Sequence, residues 1–461
     1  MSTAPKTGPS PEVTSVAECV AWALAGATEG ARRRIGIELE RLVLGPDGRL
    51  LPYDGPVSIR TLLEGLAARH GWTPVLERGH LVGVTRDGAS VSLEGGGQLE
   101  FSGAPHATVA AIGAEFADHR AELAAVGGPL GLRYVWVGHN PVEHLPGLPE
   151  VPRERAAVLR QIFPRRGTTG VASVLYSCAT QVSLDFRDAA DCVEMVRLGH
   201  LLSPVLIALF ANTPVVRGAP AAMRSHRAGL YEDLDAARCG APPLVFDRGT
   251  TLDDLIAWVW DVPMSFLAEG RADGTSRYVI LDGTLTFRRY VAEGYHGRRA
   301  TLADWELHVS TILTDVRWRR QLEFRQCDSV PPEAFAALPA LVKGLCYDDA
   351  ARRRCLALLE DGAGGVDRAA LRAAACRNAL DAVVGDWRLR DVARETLVIA
   401  RAGLASQELA ARVAGGAMDP EAAEALGLLE AIVAGERPPF WAALGARWAA
   451  SPTLAGIADP A

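Results

Sequence analysis

The chain has 461 residues, of which 49% are hydrophobic and 22% are charged, as in a soluble globular protein. Its formal net charge of −7 disfavours a general nucleic-acid binder, because neutralising phosphates requires a basic surface. Only Lys6 and Lys343 are lysines, so that 46 of the 48 basic residues are arginine. Phosphate-loop ATPases, protein kinases and pyridoxal enzymes are therefore disfavoured, because each needs a placed lysine.

The chain carries no pattern typical of a membrane span, a secretion signal or a structural zinc site. The longest apolar run, residues 204–211, is too short to cross a bilayer. Residues 1–15 lack the apolar core of a signal peptide and are predicted to be a disordered lead-in. None of the eight cysteines has CxxC spacing, so we expect mostly buried thiols in a reducing compartment. These features predict a cytoplasmic protein with no nucleic acid and no membrane among its partners.

The first predicted elements are a helix over residues 13–27 and a strand over residues 34–44. Along this strand apolar residues alternate with Glu38 and Glu40, so the two glutamates share its polar face. A turn ends the strand, and a helix over residues 59–70 follows. Strands at 73–77 and 80–85 then lead through a hairpin to the next acidic stretch.

Residues 91–103, VSLEGGGQLEFSG, are the least ordinary local arrangement in the chain. Gln98, Glu100 and Ser102 share one face of a strand. The three glycines before them predict a tight loop or bulge, which either returns Glu94 to the polar side or lets a ligand approach the backbone. Two carboxylates beside an amide indicate a cation or substrate site; a solvated edge hairpin is the alternative.

Strands and helices are mixed up to about residue 330, and the chain is helical beyond it. Further strands are predicted at residues 134–137, 172–186, 278–281, 286–287 and 319–327, and further helices at 107–127, 189–202, 204–210 and 302–313. Residues 217–240 are polar and arginine-rich, which is typical of a binding loop. The fold class predicted is α+β, with an antiparallel sheet, flanking helices and a helical C-terminal region. The expected parts are a leader and N-terminal helix at 1–30, a catalytic domain at 31–330 and a helical region at 331–461.

Five glutamates are predicted to lie on the polar side of strands, namely Glu38, Glu40, Glu94, Glu100 and Glu323. If the strands form one sheet, these like charges raise one another's pKa unless cations neutralise them. Carboxylates without a histidine cluster favour hard cations, so we expect two or three Mg²⁺ ions, with Mn²⁺ as the other candidate. The alternative for each glutamate is a solvent-facing acid paired with one of the many arginines.

Eight stretches stand out in chain order: GIELER, SLEGGGQLEFSGAP, SCATQVSLDF, RSHRAGLYEDLDAARCG, DVPMSF, TFRRYVAEG, DWELHVSTILTDVR and LEFRQCD. Together they resemble the plant and proteobacterial type of the glutamate–cysteine ligase family. The likeness covers roughly residues 34–328, and ARAGLA near Arg401 extends it into the helical region.

The resemblance implies a glutamine-synthetase-like basket that binds ATP and Mg²⁺. It also implies that the γ-carboxylate of L-glutamate is phosphorylated and that the amine of L-cysteine captures the acyl phosphate. The five glutamates are carried over as metal ligands, and Arg325 and Arg288 as catalytic residues. The substrate contacts carried over are Gln98, Gln181, Arg227, Arg288 and Tyr231.

Departures from the family pattern fall where substrates are expected. Gly95 stands where the family has proline, Tyr231 where it has tryptophan and Ser265 where it has tyrosine. The amine acceptor therefore stays open. The leading hypothesis is γ-glutamylcysteine formation, for glutathione or for a pathway such as ergothioneine. The alternatives are a ligase that uses another amine, and a non-catalytic nucleotide-binding relative.

Overall fold

The computed structural model describes residues 10–142, 148–270, 276–361 and 366–460. Most of the predicted lead-in, residues 1–9 with Lys6, lies outside these ranges. The helices, numbered in chain order, are α1 Val16–Leu24, α2 Ile59–His70, α3 Val109–Gly127, α4 Glu154–Ile162, α5 Gly170–Leu175, α6 Ala189–Leu209, α7 His226–Leu230, α8 Leu252–Asp261, α9 Phe287–Glu293, α10 Leu302–Val309, α11 Ala337–Cys346, α12 Asp349–Asp361, α13 Arg368–Asn378, α14 Leu389–Ala414, α15 Pro420–Ala434, α16 Phe440–Ala450 and α17 Leu454–Ile457.

The strands, also in chain order, are β1 Ile35–Leu44, β2 Thr73–Glu77, β3 His80–Arg86, β4 Ala89–Leu93, β5 Leu99–Ser102, β6 Arg133–Val135, β7 Ala179–Leu184, β8 Val215–Val216, β9 Ala219–Pro220, β10 Cys239–Gly240, β11 Phe266–Gly270, β12 Ser276–Ile280, β13 Leu313–Thr314, β14 Val316–Trp318, β15 Leu322–Asp328, β16 Val383–Val384, β17 Trp387–Arg388 and β18 Asp459–Pro460.

One large antiparallel sheet organises the described residues. Its strand order is β14-β15-β7-β1-β5-β4-β3-β2, and β6 joins β1 to β18 at one end. Apolar side chains of the central strands, including Ile37, Leu39, Phe101 and Val182, are buried on one face. Period-two alternation therefore leaves the acidic side chains on the other face. Helices and a large antiparallel sheet confirm the predicted α+β class.

Helices cover the apolar face of the sheet. Helix α6 packs on β15, where Gly199 leaves room for Val316 and Phe324, and α11 packs against β1 and β7. Helix α6 is long and apolar enough to cross a membrane by length and composition, but 83% of its apolar window is buried inside the protein. It is the core helix of this layer.

Several element predictions need correction. Residues 189–209 form one helix through Pro204 rather than two, because the surrounding core supports the helix at that point. Thr286 caps helix α9, so the predicted strand at 286–287 is wrong. The first residues of the predicted strand at 172–186 belong to α5, and a turn separates β14 from β15 within the predicted strand at 319–327. A bulge after Phe324 turns Cys327 to the apolar face, where Thr180 faces it.

The C-terminal helices pack on the rest of the chain. Helix α11 contacts α14 and α15, α14 contacts α6, and α15 contacts α3. The domain boundary near residue 330 stays a prediction. Seven of the eight cysteines are buried and only Cys239 is partly exposed, as expected for thiols that act as small core residues.

Candidate active site

The register of the sheet brings the predicted acids together on one face. Glu38 of β1 lies opposite Gln181 of β7 and Ser102 of β5. Two residues along, Glu40 lies directly opposite Glu100. Side chains two residues apart on one strand share a face, and so do side chains directly opposite each other on neighbouring strands. Glu38, Glu40, Glu100 and Gln181 therefore point to the same side of the sheet.

Glu40 and Glu100 are buried carboxylates that repel each other. Burial raises the pKa of Glu40 to about 8, and the charges of Glu94 and Glu100 add to the rise. Its carboxylate accepts hydrogen bonds from Ala179 N at 2.8 Å and Gln181 Nε2 at 3.2 Å. Burial and the charge of Glu94 also raise the pKa of Glu100, which is only 3% exposed. For both carboxylates burial and like charges outweigh the stabilisation from positive charge, so the pKa of each lies above its ordinary value.

The hydroxyl groups of two serines and the charge of Glu38 complete this wall. Glu100 accepts hydrogen bonds from Ser92 Oγ at 3.2 Å and Ser102 Oγ at 2.8 Å. Burial raises the pKa of Glu38, and the charges of Glu100 and Glu323 act in the same direction.

Glu323 is engaged differently from the other acids. Arg317 lies opposite it in the β14–β15 ladder and donates to both carboxylate oxygens, at 2.6 to 2.8 Å, and Arg325 donates to it as well. Burial opposes ionisation, but these guanidinium groups outweigh it and hold the pKa of Glu323 well below its usual range. Glu323 is therefore already neutralised by arginine.

The glycine loop between β4 and β5 packs against protein. A Cβ on Gly96 would lie 2.0 Å from Leu175 O, and one on Gly97 would lie 2.7 Å from the ring of Pro149. Gln98 fixes this loop, because its Oε1 accepts from Gly96 N at 2.8 Å and its Nε2 donates to Ser177 O at 2.8 Å. The amide of Gln98 thus has protein partners. Gly95 and Gly96 allow close packing against α5, and Gly97 allows close packing against Pro149.

A cleft of about 180 Å³ lies over the acidic face of the sheet. The predicted site residues that line it are Glu38, Glu40, Glu94, Gln98, Glu100, Gln181, Arg227, Tyr231 and Arg325. Glu323 lies beside it in its pair with Arg317. The sequence prediction and this cleft therefore coincide for most of the residues.

Two predicted arginines have a free donor at the cleft. The Nε atoms of Arg325 and Arg227 are buried, and neither has a hydrogen-bond partner among the described residues. Arg325 Nη1 donates to Gln181 Oε1 at 2.6 Å, and Arg227 Nη1 donates to the carbonyl of Arg325 at 3.0 Å. The guanidinium group of Arg227 also lies over the ring of Tyr231. Buried donors of this kind suit an anionic ligand.

Arg288 lies outside the cleft, so this prediction is not supported by the geometry. Its guanidinium group is about half exposed on α9 and pairs with Asp261 through two hydrogen bonds, at 2.6 and 2.9 Å. Helix α9 replaces the strand that the sequence predicted here, and the side chain turns toward α8 instead of the sheet.

Five further arginines line the cleft and were missed from the sequence, namely Arg153, Arg155, Arg238, Arg317 and Arg319. Arg155 donates to Ser310 Oγ at 3.0 Å, and burial lowers the pKa of its guanidinium group. The signal was present, because Arg317 and Arg319 alternate around Trp318 with the same period as the acids. Basic side chains thus form the wall opposite the carboxylates.

The donor set suits hard divalent cations, although no metal cage is closed. Within the described ranges no group of three or more His, Cys, Asp or Glu side chains is close enough to hold an ion. Glu38, Glu40 and Glu100 nevertheless supply buried carboxyl groups whose pKa values are raised. Carboxylate oxygens are the ligands that Mg²⁺ prefers.

Comparison with known proteins gives a consistent result. The family model for glutamate-cysteine ligase family 2 (GCS2) matches residues 34–438. The chain is 34% identical over 391 residues to the chloroplastic glutamate–cysteine ligase of Arabidopsis thaliana, covering 84% of this chain and 73% of that protein. It is 32% identical to chloroplastic glutamate–cysteine ligase B of Oryza sativa subsp. japonica, with 84% and 77% covered.

The fold is also similar to that of a solved ligase. The glutamate–cysteine ligase of Francisella tularensis in complex with AMP superposes with a TM-score of 0.52 at 13% identity, covering 91% of this chain and 85% of that chain. At this identity the likeness concerns the fold alone.

The predicted cytoplasmic location is corrected by these comparisons. The relatives from Arabidopsis thaliana, Oryza sativa and Brassica juncea are all chloroplastic enzymes, so the comparisons do not support the predicted cytoplasmic location. Composition and the lack of a signal-peptide core could not separate these two locations.

Proposed function

The chain belongs to glutamate-cysteine ligase family 2, and we propose on that premise that it joins the γ-carboxylate of L-glutamate to the amine of L-cysteine with ATP. The product is γ-glutamylcysteine, and ATP is consumed as the source of the transferred phosphoryl group. The observation that carries the proposal is the acidic wall of Glu38, Glu40 and Glu100, which lies within the family match and faces a cleft rich in arginine.

We further propose that two or three Mg²⁺ ions, or Mn²⁺ in their place, bind at this wall. Glu38, Glu40, Glu94 and Glu100 would hold them, and Glu323 would join once it leaves or shares its contact with Arg317. Bound ions would neutralise phosphate charge and polarise the phosphoryl oxygens. The raised pKa values of the wall support this assignment, because a nearby dication restores the ionised form that burial disfavours.

The chain's own residues would position and shield the reacting groups. Arg325 and Arg227 would donate from their buried Nε atoms to phosphate or carboxylate oxygens. Gln181 would hold the side chains of Glu40 and Arg325 in place, since its Nε2 donates to Glu40 and its Oε1 accepts from Arg325. A γ-carboxylate oxygen attacks the γ-phosphorus and ADP leaves; the amine then attacks the acyl carbon, phosphate leaves, and the amine proton passes to solvent or a base. Enclosure of the cleft would protect the acyl phosphate from water.

The roles of the remaining predicted residues are narrower. Tyr231 lines the cleft beside Arg227 and remains a proposed substrate contact. Gln98 is proposed to act mainly by holding the glycine loop. We place the product in glutathione biosynthesis, with ergothioneine biosynthesis as the other thiol pathway to test. We expect neither a nucleic acid nor a membrane among the partners.

The proposal is tested by measuring ADP release with ATP, Mg²⁺ and L-glutamate held constant, while the amines of a panel are added one at a time. Stimulation by L-cysteine, with γ-glutamylcysteine identified by mass spectrometry, is the expected result. Stimulation by another amine alone would reject cysteine as the acceptor. ATP binding without turnover under every amine would reject catalysis.

A further inference from the structure

One arginine of the C-terminal helical region, Arg372 of α13, lies at the edge of the candidate site. It lies 45 residues or more along the chain from every predicted site residue, yet its guanidinium group is 89% shielded from solvent. We propose that Arg372 is a positioning residue that sets Arg325 and Arg227 in place for the ligation reaction. The proposal rests on the proposed function, since those two arginines are assigned to substrate binding there.

The first link runs from Arg372 to the strand of Arg325. Arg372 Nε and Nη2 donate to the two oxygens of Asp315 at 2.9 and 3.0 Å, which is a two-point pair. Ser203 Oγ donates to the same carboxylate, so Asp315 is fixed from α6 as well. The main-chain carbonyl of Asp315 accepts from Arg325 N at 3.0 Å. Arg372 therefore holds the residue against which Arg325 is aligned.

The second link runs from Arg372 to the helix of Arg227. Arg372 Nη1 donates to the carbonyl of Ala228 at 3.2 Å and to Glu232 Oε1 at 3.4 Å. Ala228 is the next residue after Arg227 in α7. Arg227 Nη1 in turn donates to the carbonyls of Arg325 and Cys327, at 3.0 and 3.3 Å. The contacts thus form a closed circuit from Arg372 through both site arginines.

A guanidinium group is the only basic side chain that can complete this circuit. Its planar fork directs donors to Asp315 on one side and to Ala228 on the other, whereas a lysine ammonium is a single point charge. The pair is also shielded, because the side chain of Arg372 is 11% exposed and that of Asp315 is 5% exposed. Solvent therefore weakens it less than a surface pair.

The test compares Arg372→Gln and Arg372→Lys with Arg377→Gln, which removes an exposed arginine near the end of the same helix. We expect kcat/KM for the best amine of the panel to fall about 10- to 100-fold in Arg372→Gln, since small misplacements at a reacting centre have effects of that order. The fall should be carried mainly by kcat, and Arg372→Lys should recover little of it. Free guanidinium ion should restore part of the activity of Arg372→Ala, which a merely structural defect would not allow. Arg377→Gln should match the unmodified protein.

A second measurement does not depend on catalysis. Hydrogen exchange of residues 226–232 is followed without substrates, and it should be faster in Arg372→Gln but unchanged in Arg377→Gln. Unchanged exchange in that segment, or kcat/KM within twofold of the unmodified protein, would overturn the positioning role. If the unmodified protein turns over no amine, the proposed function fails, and hydrogen exchange still decides whether Arg372 orders α7.

Discussion

At the scale of single residues, Glu40 and Glu100 face each other as like charges. Removing one of the two charges should therefore lower activity without lowering stability. Glu100→Gln keeps the shape of the side chain and an oxygen for Ser92 or Ser102, but it removes one buried negative charge. We expect ADP formation to fall by more than the roughly 10- to 100-fold that follows loss of a residue supporting a metal ligand. Metal-free thermal stability should stay level or rise, because a like-charge repulsion is gone.

The check is a coupled ADP assay beside a thermal melt in EDTA, with exposed Glu421→Gln as the control. Near-normal turnover in Glu100→Gln would remove Glu100 from the proposed metal ligands.

A buried histidine gives a prediction about acid stability. Burial lowers the pKa of His308 from 6.5 to about 3, and its Nε2 donates to Val259 O at 2.9 Å. Between pH 6.5 and about 3, His308 is therefore protonated in the unfolded chain but neutral in the folded chain. Stability from this group is full above pH 6.5 and is lost as the pH falls, by up to about 1.4 kcal/mol per pH unit.

Urea unfolding at pH 7, 6 and 5 tests this expectation. His308→Gln can keep the hydrogen bond but cannot take up a proton in this range, so its stability should fall less steeply with acid. Parallel curves for the two proteins would contradict the assignment.

The sequence predicted the site residues best where periodicity was enough. Glu38, Glu40 and Glu100 follow from alternation, because a strand decides the face of a residue by its parity. Arg288 was carried over from the resemblance rather than from a strand pattern, and it lies outside the cleft. Arg317 alternates visibly with Arg319, but its partner Glu323 is set only by pairing between strands. Long-range pairing is not contained in a local pattern.

At the scale of elements, replacing glycine by alanine should have opposite effects on stability in the glycine loop and in helix α3. A Cβ at Gly96 would meet the carbonyl of Leu175 at 2.0 Å, so Gly96→Ala must push the loop away from α5. We expect a loss of about 1–3 kcal/mol in the free energy of unfolding, as for overpacking, together with a fall in activity through Glu94.

The matched control is Gly113→Ala in α3, where no atom lies within 4 Å of the added Cβ. It should stabilise the protein by roughly 0.5–1 kcal/mol, because glycine is unfavourable within a helix. Chemical denaturation measures both. Equal effects in the two variants would contradict the close packing of the loop.

Element types were predictable from local chemistry, but their ends were set by tertiary contacts. The Thr251 and Thr301 capping boxes begin α8 and α10 at sequence-visible positions. Pro204 argued for a break that the buried environment of α6 overrides. The bulge after Phe324 could not be predicted, because it is defined only relative to β7.

At the scale of the whole molecule, a buried ion pair within the C-terminal region is also hydrogen-bonded to the sheet domain. Lys343 of α11 pairs with Asp419, which also accepts from Val109 N at 2.8 Å and Ala110 N at 3.1 Å at the start of α3. Asp419→Asn would leave the ammonium group of Lys343 buried without its counter-charge. We expect a loss of about 3–5 kcal/mol in the free energy of unfolding.

The control is Asp391→Asn, whose partner Arg394 is half exposed. It should cost less than about 1 kcal/mol. Urea unfolding of both variants decides the matter, and similar small losses would show that Asp419 and Lys343 contribute no more than a surface pair.

The boundary near residue 330 was predicted from a change in composition, and it stays a prediction. No phosphate loop surrounds Lys343 in the sequence, and its contacts come from Ala107, just before α3, and Asp419, just before α15. The core cluster likewise contains residues from both sides of the boundary, such as Leu39 and Leu341.

The register of β1 has a consequence for how the length of this chain can vary. β1 is hydrogen-bonded to β5 on one edge and to β7 on the other, so neither edge can absorb a slip. One inserted residue before Glu38 would turn Ile37 or Leu39 toward the cleft and a carboxylate into the core. Two inserted residues would restore the sides. Insertions and deletions in β1 should therefore be tolerated, if at all, only in even numbers.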